Sequence, residues 1–219
     1  IALVDTIEKK VFLFRDPFGK KPLWVLTNED GSIEFASEIK AFQSKKNLRD
    51  GFASDYLLYG YIPFNKSAYR EVLSLPPGSM AIWSKGKLEV TKFFRIESEA
   101  KLKITYQEAI TETSRLLRKA VSKRLISERP IGIFLSGGYD SSLLAALMKQ
   151  EHESQVNSYT VGFGDIAFNE AHHAKEIADY LGLVHHEEYL QFNVSDTVQE
   201  VYRKVDQPFA DSSIIPTYL

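Results

Sequence analysis

Cysteine is absent from all 219 residues. Disulfides, zinc–thiolate sites and a thiol nucleophile are therefore excluded from this stretch, and a reducing compartment, the cytoplasm, is the expected location. No apolar run approaches the ~20 residues that a bilayer-spanning helix needs, so no such helix and no membrane partner are expected. An excess of one charge is missing too. The 27 Lys+Arg balance 29 Asp+Glu at a formal net charge of -2, which excludes the basic surface of a nucleic-acid binder. Neither an internal repeat nor a low-complexity segment appears. What remains, 44% hydrophobic and 26% charged, is an ordinary globular composition with room for one large domain or two small ones.

The chain opens on apolar Ile1-Ala2-Leu3-Val4 and stops at Pro216-Thr217-Tyr218-Leu219, both as if in mid-element, so an internal fragment of a longer protein is expected. Up to about residue 96 the pattern is short and β-like: Ile1–Val4, Lys10–Phe14, Leu23–Leu26, Ile33–Ala36, Met80–Trp83 and Leu88–Lys92. Turn signals such as Asp16-Pro17-Phe18-Gly19 and Pro76-Pro77-Gly78 separate them, and the spacing suggests antiparallel hairpins. One helical stretch, Asp55–Gly60, ends at a glycine. Residues 97–105 read as a linker. Beyond it Ile110, Leu117, Val121 and Leu125 share a helix face, with Thr105 and Glu108 spaced as a capping box. Apolar Ile131–Leu135, helical Ser141–Lys149, apolar Ser158–Val161, helical Glu170–Leu181, mixed His185–Leu190 and helical Ser195–Lys204 then alternate. Such alternation predicts βαβ units around a parallel sheet. The expected fold is α+β followed by α/β, with domains at 1–100 and 101–219.

The strongest chemical signal is Ser136-Gly137-Gly138-Tyr139-Asp140-Ser141, a turn that follows an apolar strand and opens a helix. In an open parallel sheet ligands bind outside the carboxyl ends of strands. Two glycines allow backbone N–H groups close to an anion, serine hydroxyls add donors, and the helix N-terminus adds partial positive charge. A phosphate or pyrophosphate is the natural guest. Asp140 would oppose it unless a cation such as Mg²⁺ stood between them. The turn is not a Walker A loop, which ends in Gly-Lys-Ser/Thr. The structural alternative is a tight strand-to-helix turn with Asp140 as a cap.

This loop resembles the pyrophosphate loop of the ATP pyrophosphatases, and its flanks resemble the glutamine-hydrolysing asparagine synthetases. Arg15–Leu23, Phe35–Ala41, Tyr59–Pro63 and Leu75–Gly78 are similar to the later part of that family's class II glutamine amidotransferase domain. Ser158–Phe163, Leu181-Gly182 with His185-His186-Glu187, and Asp206–Ser213 continue the likeness into its synthetase domain, an adenine-nucleotide α hydrolase-like parallel-sheet fold. The resemblance implies ATP and Mg²⁺ as cofactors. Ser136, Gly137, Gly138 and Ser141 would hold pyrophosphate, Asp140 the metal, and the backbones of Leu135 and Val161 would lie against adenine and ribose. It further implies adenylation of a carboxylate by ATP, then displacement of AMP by ammonia that passes between domains from glutamine. Aspartate is the family's acceptor, and small molecules are the expected partners; a homodimer is an open arrangement.

Four departures bear on the acceptor. Gln207 stands where the family usually has Glu, Tyr139 where Leu is more usual, and Pro17 and Lys20 also differ. Asp206, Gln207 and Asp211 are acceptor-site candidates, with loop capping as the alternative for the two aspartates. No catalytic residue is assigned within the chain. The family's nucleophile is an N-terminal Cys, which Ile1 does not supply, so Arg15–Pro22 and Phe35–Lys40 are expected to be scaffold. The family's acidic Ser-Gly-rich loop would follow Leu219. A relative that amidates another carboxylate, such as a polysaccharide uronic acid, and a non-catalytic nucleotide-binding relative remain alternatives. Gly162–Ala167 fits the relaxed dinucleotide fingerprint only weakly, because the next helix is expected near Glu170. His172-His173 and His185-His186 invite a zinc reading, with surface or sheet-edge histidines as the alternative.

Overall fold

A computed structural model describes all residues except 64, 98–100, 153, 163, 165–168, 191–192 and 212. Part of the linker and most of the Gly162–Ala167 motif therefore lie outside the described residues. The chain divides into two compact units, residues 1–100 with 195–215, and residues 101–194 with 216–219.

In the first unit β1 (Ala2–Asp5), β2 (Lys10–Phe14), β6 (Ser79–Ser84) and β7 (Lys87–Lys92) form an antiparallel sheet in the order β1-β2-β6-β7. A second antiparallel sheet, β4-β3-β5, joins β4 (Ile33–Ala36), β3 (Trp24–Thr27) and β5 (Val72–Ser74). Leu13 pairs in register with Ala81 on the first sheet, and both bury against Val25 of the second and Leu75. Period-two alternation places these side chains on one face. The helix α1 (Phe52–Tyr59) starts three residues earlier than the pattern predicted and ends at Gly60, whose φ of 76° is the left-handed conformation that a helix stop favours. β5 escaped the sequence because three residues show no period; β3 recruits it by pairing Val25 with Leu73.

The Asp16 turn follows from hydrogen bonding. Its Oδ1 accepts from the N–H of Phe18 (3.1 Å) and Lys20 (3.0 Å), and its Oδ2 from Lys21 (3.2 Å). The N–H groups of Lys20 and Lys21 above all hold its carboxyl below the usual pKa. Arg15 next to it donates to the carbonyls of Leu75 (2.6 Å), Gly19 (3.3 Å) and Lys21 (3.2 Å) and to Ser74 Oγ (3.0 Å). These are scaffold contacts, as the sequence suggested for Arg15–Pro22.

The second unit opens with α2 (Tyr106–Ser122), where Thr105 Oγ1 accepts from Glu108 N and Glu108 Oε2 from Thr105 N, completing the capping box. β8 (Gly132–Phe134), β9 (Asn157–Gly162) and β10 (Val184–Tyr189) form a parallel sheet in the order β10-β9-β8. Helices α3 (Tyr139–Glu151) and α4 (Ala171–Leu181) make the two crossovers. Val121 of α2, Ala145, Leu147 and Met148 of α3, and Ala174 and Ala178 of α4 bury against Leu135 and Val156 in one core. Phe134, one residue before Leu135, points to the opposite face and is 82% exposed. Antiparallel sheets followed by a parallel one match the general arrangement expected from the sequence. The last helices are α5 (Val194–Lys204) and α6 (Ile214–Tyr218). Among the described residues no helix is long and apolar enough to cross a membrane.

Candidate nucleotide site

The strand end that carries the loop is tied to its neighbour. Leu135 N donates to Tyr159 O at 2.9 Å, and Thr160 Oγ1 donates to Leu135 O. The Leu135 side chain is buried in the core, so the following turn leaves the sheet from a fixed point. Gly137 has a φ of 78°, and a Cβ there would lie 2.9 Å from His173 Cβ and 3.1 Å from Ala174 N. Conformation and space both require glycine, because the turn packs directly on the first turn of α4.

Gly138 is the N-cap of α3, in ordinary extended backbone, and among the described residues no side chain caps the helix. The first-turn amides thus receive no side-chain acceptor, which is the arrangement that anions use. The serines preorganise the turn. Ser136 N donates to Ser141 Oγ (3.2 Å), the two hydroxyl oxygens are 2.9 Å apart, and Ser142 Oγ donates to Gly138 O (2.7 Å). Asp140, in the first turn of α3, is exposed.

A cavity of about 290 Å³ opens beside the loop, close to the lower end of the ~300–1,000 Å³ usual for small-molecule sites. Leu135, Ser136 and Val161, three of the residues singled out in the sequence, line it. Phe134, Tyr159, Thr160, Glu170 and Pro216 line it too, and none of these had been singled out. Tyr159 stacks on His186 with ring centroids 4.9 Å apart. Strand alternation could have found Phe134 and Tyr159, which share a register position on one face. Glu170 and Pro216 carry no local signal, since only the turn of the chain brings them here.

The acceptor-site candidates lie in the other compact unit. Asp206 Oδ2 accepts from Ile39 N at 2.6 Å and its Oδ1 from Lys40 N at 3.1 Å, so the carboxylate caps the single 3₁₀ turn at Ile39–Ala41. Gln207 Oε1 accepts from Ala68 N at 3.0 Å. Asp211 Oδ1 accepts from Ser213 N at 2.9 Å, and that N–H holds its carboxyl below the usual pKa. All three side chains thus serve backbone N–H groups.

The histidines are placed by the sheet and by α4. His185 Nδ1 and Ser158 Oγ are 2.9 Å apart, and the ring is buried; His172 and His173 pack ring against ring. Among the described residues no group of three or more His, Cys, Asp or Glu is placed to hold a metal by itself. A cation at the loop would therefore draw further oxygen ligands from a guest or from water.

Comparison with known proteins divides the chain along its sequence, between residues 94 and 112. A family model for the glutamine amidotransferase domain matches residues 1–94, and one for asparagine synthase matches residues 112–219. The chain is 34% identical over 216 residues to the glutamine-hydrolyzing asparagine synthetase of Rattus norvegicus, covering 91% of this chain and 36% of that one. It is 29% identical over 214 residues to the glutamine-hydrolyzing asparagine synthetase 1 of Bacillus subtilis, covering 93% and 33%. The chain thus spans about a third of the length of these curated relatives. With two family models in the same order and likeness along nine-tenths of its residues, the chain belongs to the glutamine-hydrolysing asparagine synthetase family.

Proposed function

We propose that the full protein is an ATP-dependent amide-forming ligase that converts aspartate to asparagine, with residues 101–219 contributing the ATP site and residues 1–100 part of a glutamine amidotransferase. One observation carries the proposal: a preorganised Ser136–Ser141 turn with uncapped helix amides stands beside an aromatic-walled cavity at the carboxyl ends of β8 and β9. A triphosphate nucleotide has the matching parts, an anion for the amides and a flat base for Phe134 and Tyr159.

The loop also fits Mg²⁺ bound together with phosphate. Asp140 offers one exposed carboxylate next to the amides, and Mg²⁺ commonly takes one or two carboxylates with substrate phosphates. When bound, the ion would neutralise charge on the phosphates. The chain's own contribution is positional. Gly137 lets the turn approach α4, Ser136 and Ser141 fix its shape, and Leu135 anchors it to the core. The first-turn amides of α3 would hold pyrophosphate as it departs, where preorganised donors stabilise charge that develops in the transition state. In the proposed reaction the aspartate carboxylate attacks the α-phosphorus, pyrophosphate leaves, and ammonia, drawn from glutamine, displaces AMP.

The full-length protein with ATP, Mg²⁺, ammonia and aspartate should release pyrophosphate in proportion to asparagine formed, and Asp140→Ala should abolish that release. Near-normal release by the variant would sink the role of Asp140. ATP binding without turnover of aspartate would instead favour a different acceptor carboxylate.

A further inference from the structure

We propose that Glu170 determines the protein's preference for a ribonucleotide by accepting hydrogen bonds from the ribose hydroxyls, an inference that rests on the ATP site described above. Among the described residues that line the cavity, Glu170 is the charged one; the others carry aromatic, aliphatic or hydroxyl groups. Its position is fixed from two sides. Glu170 is the N-cap of α4, where its carbonyl accepts from Ala174 N at 3.1 Å. A Cβ at Gly137 would lie 3.3 Å from that carbonyl, so the residue abuts the phosphate loop.

Among the described residues its carboxylate has neither an ion pair nor a hydrogen bond, and it stands exposed at the cavity wall. A carboxylate repels phosphate oxygens, so a nucleotide must present donors there or bring a cation. Base, sugar and phosphate are joined in that order. With phosphates on the Ser136–Ser141 turn and the base against Phe134, Tyr159 and Pro216, the group at the loop end of the cavity is the ribose. Its two hydroxyls are donors, and a carboxylate can accept from both. The adenine amino group, the other donor of ATP, belongs to the far end of the base.

The test is equilibrium binding of ATP, 2′-deoxy-ATP and GTP, each with Mg²⁺, to the full-length wild type, Glu170→Ala and Glu170→Gln. A hydrogen bond to a charged acceptor corresponds to roughly a tenfold to a hundredfold preference. Wild type should favour ATP over 2′-deoxy-ATP by about that factor. Glu170→Ala should bring the ratio close to one, and Glu170→Gln should leave it between the two. Far-UV circular dichroism should match wild type, because the carboxylate caps nothing in α4.

An equal loss for ATP and 2′-deoxy-ATP would overturn the ribose assignment and point to the cation. A lost preference for ATP over GTP, with the ribose ratio intact, would overturn it in favour of the adenine amino group. A wild type that binds no adenine nucleotide would overturn the site itself and this inference with it.

Discussion

Replacing Gly137 by alanine tests whether the loop's shape depends on both its backbone conformation and its contact with α4. At φ 78° a non-glycine residue costs about 1–2 kcal/mol. The new Cβ would stand 2.9 Å from His173 Cβ and 3.1 Å from Ala174 N, against the ~3.5–4.0 Å optimum between carbons. Neither neighbour is the mobile tip of a side chain. One is a Cβ and the other is helix backbone, so either α4 or the turn must shift, which adds about 1–3 kcal/mol. The expected destabilisation is about 2–5 kcal/mol. In a urea titration this lowers the midpoint of the α/β unit by roughly 1–2.5 M for an m-value near 2 kcal/mol/M. The ATP affinity should fall with it, because the displaced turn no longer aligns Ser136 with Ser141. Gly138→Ala is the control. Gly138 has φ -75° and ψ 160°, which alanine adopts freely, and its Cβ would meet only Ser136 Oγ at 3.4 Å. It should unfold within about 1 kcal/mol of wild type. Indistinguishable urea midpoints for the two variants would refute the reasoning, since nothing but local geometry separates them.

Asp206→Ala leaves the N–H groups of Ile39 and Lys40 without their acceptor, so the unit that contains the antiparallel sheets should lose about 1.5–3 kcal/mol in chemical denaturation. ATP binding by the other unit should persist; an unchanged denaturation profile would show that the cap is not a stabilising contact. The Asp16 carboxyl is held below its unfolded value by the N–H groups of Lys20 and Lys21 first. Its stabilisation is therefore complete above about pH 4 and lost as pH falls through the lower folded value. Asp16→Asn should flatten the acid side of the stability profile of that unit, measured by urea titrations between about pH 2 and 5; an identical slope would exclude Asp16 as a source of acid sensitivity.

Much of the chain was legible from residues alone where structure is set locally. The Thr105–Glu108 box, the glycine stop of α1 and the alternation of β8 to β10 with α3 and α4 depend on neighbours within a few positions. The Ser136–Ser141 turn is of the same kind, for Ser136 and Ser141 are close in sequence and their hydroxyls meet at 2.9 Å. β5 was not legible, because a three-residue strand is defined by its partner rather than by its own pattern.

Asp206 illustrates the other limit. Its position in a family-like segment made it an acceptor-site candidate, while its partners Ile39 and Lys40 lie 167 and 166 residues away in sequence. No window along the chain can pair them. Glu170 is invisible for the same reason, since it matters only once Gly137 folds against α4 and the cavity closes around Ser136 and Tyr159.

The sequence by itself determined the order of the two halves, the parallel-sheet class of the second and the Ser136–Ser141 turn that opens its first crossover helix. Periodicity and turn chemistry act over a few residues, so they can be read there. The tertiary structure alone decided that residues 195–215 pack with the antiparallel sheets and that Phe134, Tyr159 and Glu170 wall the cavity. Those pairings arise when distant segments bury apolar surface and satisfy backbone N–H groups together, and that choice is made in three dimensions.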